Sequence, residues 1–260
     1  MIECKIHVRI KNITFNTKGI SIVSKRYWWV LITYIAMHLS AFIGVPLLKL
    51  YDVPLERIPG IWSTISFSAA LLIIILLLLP DIRNRHEVRG RSSKADAAMW
   101  SILGVFLAFV AQYISIYISV FILGVEPGSE NTERISEYAR IFPLFIIVMA
   151  VIGPILEEII FRKVIFGSLY KKYNFIIAAL ISSLIFAVVH ADLDYLLVYT
   201  ALAFVFSYLY VKTKRILVPI IAHVAMNTLA VLVHVVYGER LDELRQQLDQ
   251  IQSFIGGFLV

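Results

Sequence analysis

The stretch Leu71-Leu72-Ile73-Ile74-Ile75-Leu76-Leu77-Leu78-Leu79 decides the class of fold, because it contains no polar side chain. It lies within an apolar run over 61–80, and a helix of about 20 apolar residues crosses the hydrocarbon core of a bilayer. The whole chain agrees: 60% of its 260 residues are hydrophobic and 16% are charged. Soluble domains are about 45–50% apolar and about 25% charged. We therefore predict an all-α, polytopic transmembrane helix bundle whose first partner is the lipid bilayer.

Apolar runs along the chain predict about seven spans, with an eighth only if the C-terminal segment enters the membrane, against which its charges argue. The runs cover roughly 27–49, 61–80, 98–124, 141–170, 175–191, 194–211 and 216–237. The fifth and sixth runs are separated only by 191–193. In the C-terminal segment, 238–260, apolar residues recur at three- and four-residue spacing, which predicts an amphipathic helix. They are Leu241, Leu244, Leu248, Ile251 and Ile255.

The loops between these runs alternate in charge. The 1–26 segment and the loops 81–97 and 212–215 are basic, whereas the 125–140 loop is acidic on balance. Basic loops stay in the cytoplasm, so the N-terminal segment, 1–26, is predicted to be cytoplasmic and 27–237 to form the membrane domain. The same alternation explains the net charge of +6 without a nucleic-acid partner. The single cysteine, Cys4, excludes an internal disulfide and a cysteine-based zinc site.

Two adjacent carboxylates interrupt the fourth apolar run, in Gly153-Pro154-Ile155-Leu156-Glu157-Glu158-Ile159-Ile160-Phe161-Arg162. Ionisable groups inside a span are costly and suggest function. Neighbouring residues of a helix point about 100° apart, and Glu158 pairs with Arg162 at i,i+4. Glu158 is expected to hold Arg162 or to share a site with it, which leaves Glu157 free as a general base or metal ligand. The alternative is a packing ion pair beside one protonated glutamate.

Three further polar residues lie on later spans. His190 ends the fifth run, while His223 and Asn227 share one face of the seventh at i,i+4 spacing. His190 could simply anchor its helix at the membrane interface, and the other two could bond neighbouring helices.

Together, these residues supply what amide hydrolysis needs: a carboxylate that takes a proton from water, a histidine that orients it, and donors for an oxyanion. The same groups could hold a divalent metal such as zinc, through Glu157, His190 and His223. Serine and cysteine chemistry have no support, because the chain lacks Gly-x-Ser-x-Gly and Cys4 lies outside the spans. It also lacks the His-Glu-x-x-His run of soluble zinc proteases.

The three groups resemble the motifs of the CPBP family of intramembrane proteases, which includes type II CAAX prenyl endopeptidases and bacteriocin-processing or self-immunity (Abi) proteins. Glu-Glu-x-x-x-Arg matches Glu157, Glu158 and Arg162; Phe-x-x-x-His matches Phe186 and His190; His-x-x-x-Asn matches His223 and Asn227. The family core would cover about 141–237.

The resemblance implies a membrane-embedded endopeptidase, metal-dependent or glutamate-dependent, in a bacterial cell membrane. Its substrate would be a membrane protein or a peptide precursor. Glu157 and His190 would activate water and His223 and Asn227 would stabilise the oxyanion. Glu158 belongs to the same catalytic set, and Arg162 and Phe186 would support it.

Two other functions stay open at the level of sequence: a non-catalytic immunity or scaffold protein, and an ion-coupled transporter that uses the intramembrane carboxylates. The predicted spans also place His190 near the outer end of its helix and His223 about 12 Å from the inner end, at 1.5 Å per residue. The two can meet only if helices tilt or break, and Gly153-Pro154 and Pro219 are the expected break points. His234, on nearly the same face as His223, is an alternative partner.

Overall fold

The computed structural model describes residues 24–233, together with the single positions Arg240 and Gln247, and every regular element in this part of the chain is helical. The helices are α1 (Lys25–Leu50, with a turn at Ser40), α2 (Ile58–Glu87), α3 (Lys94–Ile122) and α4 (Glu130–Ile141). They continue with α5 (145–169), α6 (Phe175–Val189), α7 (Leu196–Thr213) and α8 (Leu217–Val233). The predicted amphipathic helix of the C-terminal segment and His234 lie outside the described residues.

The all-helical membrane fold is confirmed. Helices α1, α2, α3 and α7 are long and apolar enough to cross a membrane, and α6 and α8 are shorter apolar helices. Helix α5 coincides with the predicted charged span. The count of seven spans stays a prediction.

Two predicted boundaries differ from the structure. The acidic 125–140 segment was expected to be a loop, but α4 forms there after Ser129, whose hydroxyl accepts a hydrogen bond from the Thr132 backbone N–H. Between α6 and α7 the connection covers 190–195 rather than 191–193, because α6 ends at Val189 and Ala191 has a left-handed backbone (φ 53°). Local capping and backbone geometry, which hydrophobicity does not report, set both boundaries.

Helices α5 and α7 lie at the centre of the bundle. One apolar cluster joins α5 to α1 and α2 through residues such as Phe161, Val30 and Ile74. A second joins α7 to α3 and α8, with Phe206 and Ala222 among its members. The side chains on which the chemistry depends are therefore surrounded by other helices.

The small residue Gly44 allows α1 to pack closely on α2. A Cβ atom at this position would overlap the ring of the Trp62 side chain. The Trp62 indole N–H also donates a hydrogen bond to the Ser40 hydroxyl at 3.0 Å. Small residues commonly permit such close helix contacts in membranes.

Alternate connections collect at opposite ends of the bundle. At one end, Asp81 forms ion pairs with Arg26 (2.7 Å) and Lys163 (3.0 Å), and the Arg215 guanidinium donates to the Ser92 carbonyl. The α3–α4 and α6–α7 connections meet elsewhere, through Ser129 and Asp192. The structure thus groups the basic connections at one end, while the orientation of that end toward the cytoplasm stays a prediction.

Candidate active site

Helix α5 carries a buried ion pair. Arg162 Nε lies 3.1 Å from Glu158 Oε2, at the predicted i,i+4 spacing, and neither residue is exposed. The guanidinium also packs against two rings, with its Cζ 4.6 Å from the centroid of Phe186 and 5.2 Å from that of Phe206. Two π-helical segments, Val148–Ile152 and Glu158–Phe166, flank the turn that bears Glu157. Such segments occur frequently at functional sites.

Glu158 connects this pair to α8. Its Oε1 lies 2.9 Å from Nδ1 of His223, whose ring stacks on Phe206 at a centroid distance of 4.7 Å. Because an ionised carboxylate only accepts hydrogen bonds, the His223 Nδ1–H donates. Arg162, Glu158 and His223 therefore form one continuous chain of contacts. The contact with Glu158 fixes the orientation of the His223 ring.

Glu157 points to different surroundings, as the 100° turn between neighbouring residues requires. Its side chain is 21% exposed, and its Oε2 lies 3.8 Å from Nε2 of His223, beyond hydrogen-bond distance. Arg162 supplies one positive charge to this cluster, whereas Glu157 and Glu158 supply two negative ones when ionised. One additional proton, shared by His223 and Glu157, would bring the net charge of the cluster to zero.

His190 follows the last residue of α6, and its Nδ1 lies 2.8 Å from the carbonyl oxygen of Phe186. A carbonyl oxygen can only accept, so Nδ1 carries the hydrogen and Nε2 of the neutral ring is left with its lone pair. The ring contacts the aromatic rings of Phe186 and Tyr199, at centroid distances of 4.4 and 4.3 Å.

Asn227 lies one turn beyond His223 on α8. Its Nδ2 donates a hydrogen bond to the Met149 carbonyl at 3.3 Å, within the first π-helical segment of α5. This contact uses one amide hydrogen and leaves the second available.

A cavity of about 490 Å³ brings these groups together. Its lining includes Glu157, Phe186, His190, His223 and Asn227. Glu158 and Arg162 are fully buried and do not line the cavity. They contact the cavity residues His223 and Phe186 from the protein interior.

The sequence predicted His190 and His223 at different depths in the membrane, but the structure brings them close to one another. The ring of Phe186 contacts the rings of both, at centroid distances of 4.4 and 6.4 Å. Of the two expected break points, Gly153-Pro154 coincides with the change from π-helix to α-helix in α5. Pro219 lies in the first turn of α8, where proline is tolerated, and does not break the helix.

Sequence reasoning missed several cavity residues. Helix α1 contributes Tyr34 and His38, and α2 contributes Ser63 and Phe67, each pair at i,i+4 spacing. Helix α4 and the preceding Ser129 contribute a further set, whose members in the helix include Asn131, Thr132, Arg134, Ile135 and Ser136. The signal for His38 was present, because it is an ionisable residue within a predicted span. No signal in the sequence indicated that α4 covers the cavity.

The possible metal ligands share the cavity without forming a ligand set. Within the described residues, no three or more His, Cys, Asp or Glu side chains are grouped so that they could hold a metal ion. The Nδ1 atoms of His190 and His223 are engaged, with the Phe186 carbonyl and the Glu158 carboxylate, and contacts of this kind leave Nε2 as the nitrogen that can face a ligand. The zinc site predicted for Glu157, His190 and His223 stays a prediction.

Comparison with known proteins gives the class of this helical membrane protein, which is that of a membrane protease. A family model described as "Type II CAAX prenyl endopeptidase Rce1-like" matches residues 139–229, which include all three motifs. The chain belongs to this Rce1-like family.

Relatives similar over almost their whole length come from two bacteria. "Putative membrane peptidase YdiL" of Bacillus subtilis (strain 168) is 43% identical over 91% of this chain and 99% of its own length. "Membrane-embedded CAAX protease MroQ" of Staphylococcus aureus (strain USA300) is 36% identical over 87% of this chain and 97% of its own. No solved structure matches the chain significantly.

Proposed function

We propose that this protease hydrolyses a peptide bond of a membrane-associated protein or peptide precursor, with a water molecule activated by Glu157 and His190. The observation that carries the proposal is the shared cavity, which Glu157, His190, His223 and Asn227 all line. The groups come from α5, α6 and α8, and each has a free atom for substrate or water. The family membership supports the same class of reaction.

In the proposed first step, the Glu157 carboxylate removes a proton from water as the water oxygen attacks the carbonyl carbon. The second hydrogen stays on the attacking oxygen and donates a hydrogen bond to Nε2 of His190, because Nδ1 of this ring is held by the Phe186 carbonyl. General base catalysis of this kind accelerates a reaction about 10²–10⁴-fold.

The tetrahedral oxyanion is proposed to accept hydrogen bonds from Nε2–H of protonated His223 and from the free amide hydrogen of Asn227. Glu158 stabilises the imidazolium through Nδ1, and Arg162 holds Glu158 in place. Glu158 and Arg162 are thus positioning residues. Prearranged donors of this kind are among the largest contributions to enzymatic acyl transfer.

In the last step, the proton held by Glu157 passes to the amide nitrogen as the carbon–nitrogen bond breaks. The products are a new carboxyl terminus and a new amino terminus, and Glu157 returns to its ionised form. All atoms of the water are then accounted for, and each transfer uses a side chain of this protein.

The substrate class follows from where the site lies and from the family. Peptide pheromone or bacteriocin precursors, and other peptides held in the membrane, can present a scissile bond to a cavity inside a helix bundle. A prenylated CAAX tail is the substrate that the family name implies. We propose in addition that the N-terminus is cytoplasmic, which the grouping of the basic connections at one end supports.

The test compares membrane peptides from cells that express wild-type protein or Glu157→Gln, which keeps the size of the side chain and removes the base. A peptide cleaved only in wild-type cells is then synthesised and assayed with purified protein in proteoliposomes. We expect Glu157→Gln to lower kcat by about 10²-fold or more. The matched control is Glu56→Gln, which changes an exposed loop carboxylate.

Full cleavage by the folded Glu157→Gln variant would contradict the proposal. Biological protection that survives this substitution would instead favour an immunity or scaffold protein. Ion flux that depends on Glu157 in the same proteoliposomes would favour a transporter.

A further inference from the structure

The ring of His190 contacts two aromatic rings, and only one of them belongs to a recognised motif. Phe186 makes a tilted contact with an interplanar angle of 49°, and Tyr199, from α7, stacks on the His190 ring with an interplanar angle of 27°. Tyr199 lies in none of the three motifs. It also lines the cavity beside His190.

His190 needs such support because its own helix does not continue past it. Helix α6 ends at Val189, and Ala191 has left-handed backbone geometry with φ 53°. No following helical turn restricts the His190 side chain. Its orientation depends on the bond from Nδ1 to the Phe186 carbonyl and on the two flanking rings.

Tyr199 is fixed in turn by the start of α4. Its hydroxyl lies 3.4 Å from the Ser129 hydroxyl and 3.5 Å from Asn131 Nδ2. The Ser129 hydroxyl donates a hydrogen bond to Asp192 Oδ2 at 2.6 Å. Asp192 follows His190 by two residues and is only 8% exposed. The four side chains form a chain of contacts that joins the start of α4 to α7 and to the α6–α7 connection.

A second contact fastens α4 to the same wall of the cavity. The backbone N–H of Gly128 donates to the Tyr195 hydroxyl at 2.7 Å, and the Tyr195 side chain also lines the cavity. Helix α4 therefore cannot leave the cavity without breaking the bonds that hold Tyr199.

We propose that Tyr199 is a positioning residue for His190, and that the Ser129–Asp192 contact ties this position to the seating of α4 over the cavity. The inference rests on the proposed function, in which His190 Nε2 orients the attacking water. A ring that tilts away from Phe186 and Tyr199 would misdirect Nε2. A displacement of about 1 Å can lower a reaction rate about 10²-fold.

The kinetic test compares Tyr199→Leu, which removes the stacked ring, with Tyr199→Phe, which keeps it. The substrate is the synthetic peptide recovered from the comparison of membrane peptides. We expect Tyr199→Leu to lower kcat about 10- to 100-fold with KM within about twofold of wild type. Tyr199→Phe should retain most of the wild-type kcat. Tyr208→Leu is the matched control, because Tyr208 lies on the same helix and packs on Trp100 instead.

A second measurement needs no peptidase activity. Full-length protein labelled at histidine is studied by NMR in detergent micelles, with His190→Gln used to assign the His190 signals. The ring protons should lie upfield of those of exposed His86, because two aromatic rings flank His190. Tyr199→Leu should shift them downfield, also in a Glu157→Gln background. Tyr199→Phe keeps the ring and loses only the contacts of its hydroxyl with Ser129 and Asn131, so it should shift them less, and Tyr208→Leu should not shift them.

The Asp192→Asn variant tests the connection to α4, with Asp194→Asn as its exposed neighbour and control. We expect a shifted His190 signal in Asp192→Asn and an unchanged His190 signal in Asp194→Asn. If Tyr199→Leu does not fold, Tyr199→Met, a flexible side chain without a ring, replaces it with the same expectations.

Unchanged His190 signals in folded Tyr199→Leu or Tyr199→Met would overturn the inference and leave the proposed function intact. So would a rise in KM with an unchanged kcat, since that result would make Tyr199 a substrate contact. Failure of the proposed function appears separately, as full activity of Glu157→Gln.

Discussion

Replacing Arg162 by methionine tests whether the buried charges of α5 depend on one another. The Arg162 side chain is 1% exposed and that of Glu158 is 0% exposed, so water cannot compensate either charge when its partner is removed. Breaking one partner of such a pair costs about 3–5 kcal/mol. Methionine retains contacts with the rings of Phe186 and Phe206, which limits the loss from packing. We therefore expect Arg162→Met to lower the free energy of unfolding by about 3–5 kcal/mol.

The double variant Glu158→Gln/Arg162→Met separates charge from packing. It contains neither buried charge of the pair, so its loss of stability should fall short of the sum of the two single losses by about 2–3 kcal/mol. Stability is measured by unfolding in mixed detergent and SDS micelles. Arg57→Met, at an exposed position, is the control and should change it by less than about 0.5 kcal/mol. Strictly additive losses, or a loss below about 1 kcal/mol for Arg162→Met, would refute the reasoning.

The remaining predictions concern other contacts. Asn227→Ala should lower kcat about 10²–10³-fold while the protein stays folded, because an oxyanion donor is lost; wild-type turnover of the synthetic peptide would contradict this role. Gly44→Ala should destabilise the protein by about 1–3 kcal/mol in mixed-micelle unfolding, because its Cβ overlaps the Trp62 ring. Asp81→Asn weakens two ion pairs at the basic end of the bundle and should lower the free energy of unfolding by about 1–3 kcal/mol. The difference between this variant and the wild type should be smaller at high salt, which weakens the ion pairs of the wild type.

Hydrophobicity predicted the helices of this protein well, because a bilayer requires long apolar segments with internally satisfied backbones. It failed at α4, whose polar, amphipathic sequence was interpreted as a loop. The actual end of α6 was also missed, because a left-handed residue at Ala191, rather than a change in polarity, marks it.

The candidate site was predictable to the extent that its residues are polar within apolar spans. Glu157, Glu158, His190 and His223 stood out for this reason, and the structure gathers them around one cavity. Tyr199 could not be identified in the same way, because tyrosine is common in membrane helices and only the packing of α6 against α7 places its ring on His190. The contact between Glu158 and His223 likewise depends on how α8 packs on α5.

The chain of contacts from Arg162 through Glu158 to His223 also has a consequence for the order of biosynthesis. The first two residues enter the membrane with α5, whereas the third arrives with α8, the last described long helix of the bundle. A nascent chain that has reached only α7 contains the Glu158–Arg162 pair without the imidazole that contacts Glu158 in the complete bundle. We therefore expect the protease to remain inactive until α8 is inserted, so that an incompletely translated chain cannot cut its neighbours in the membrane.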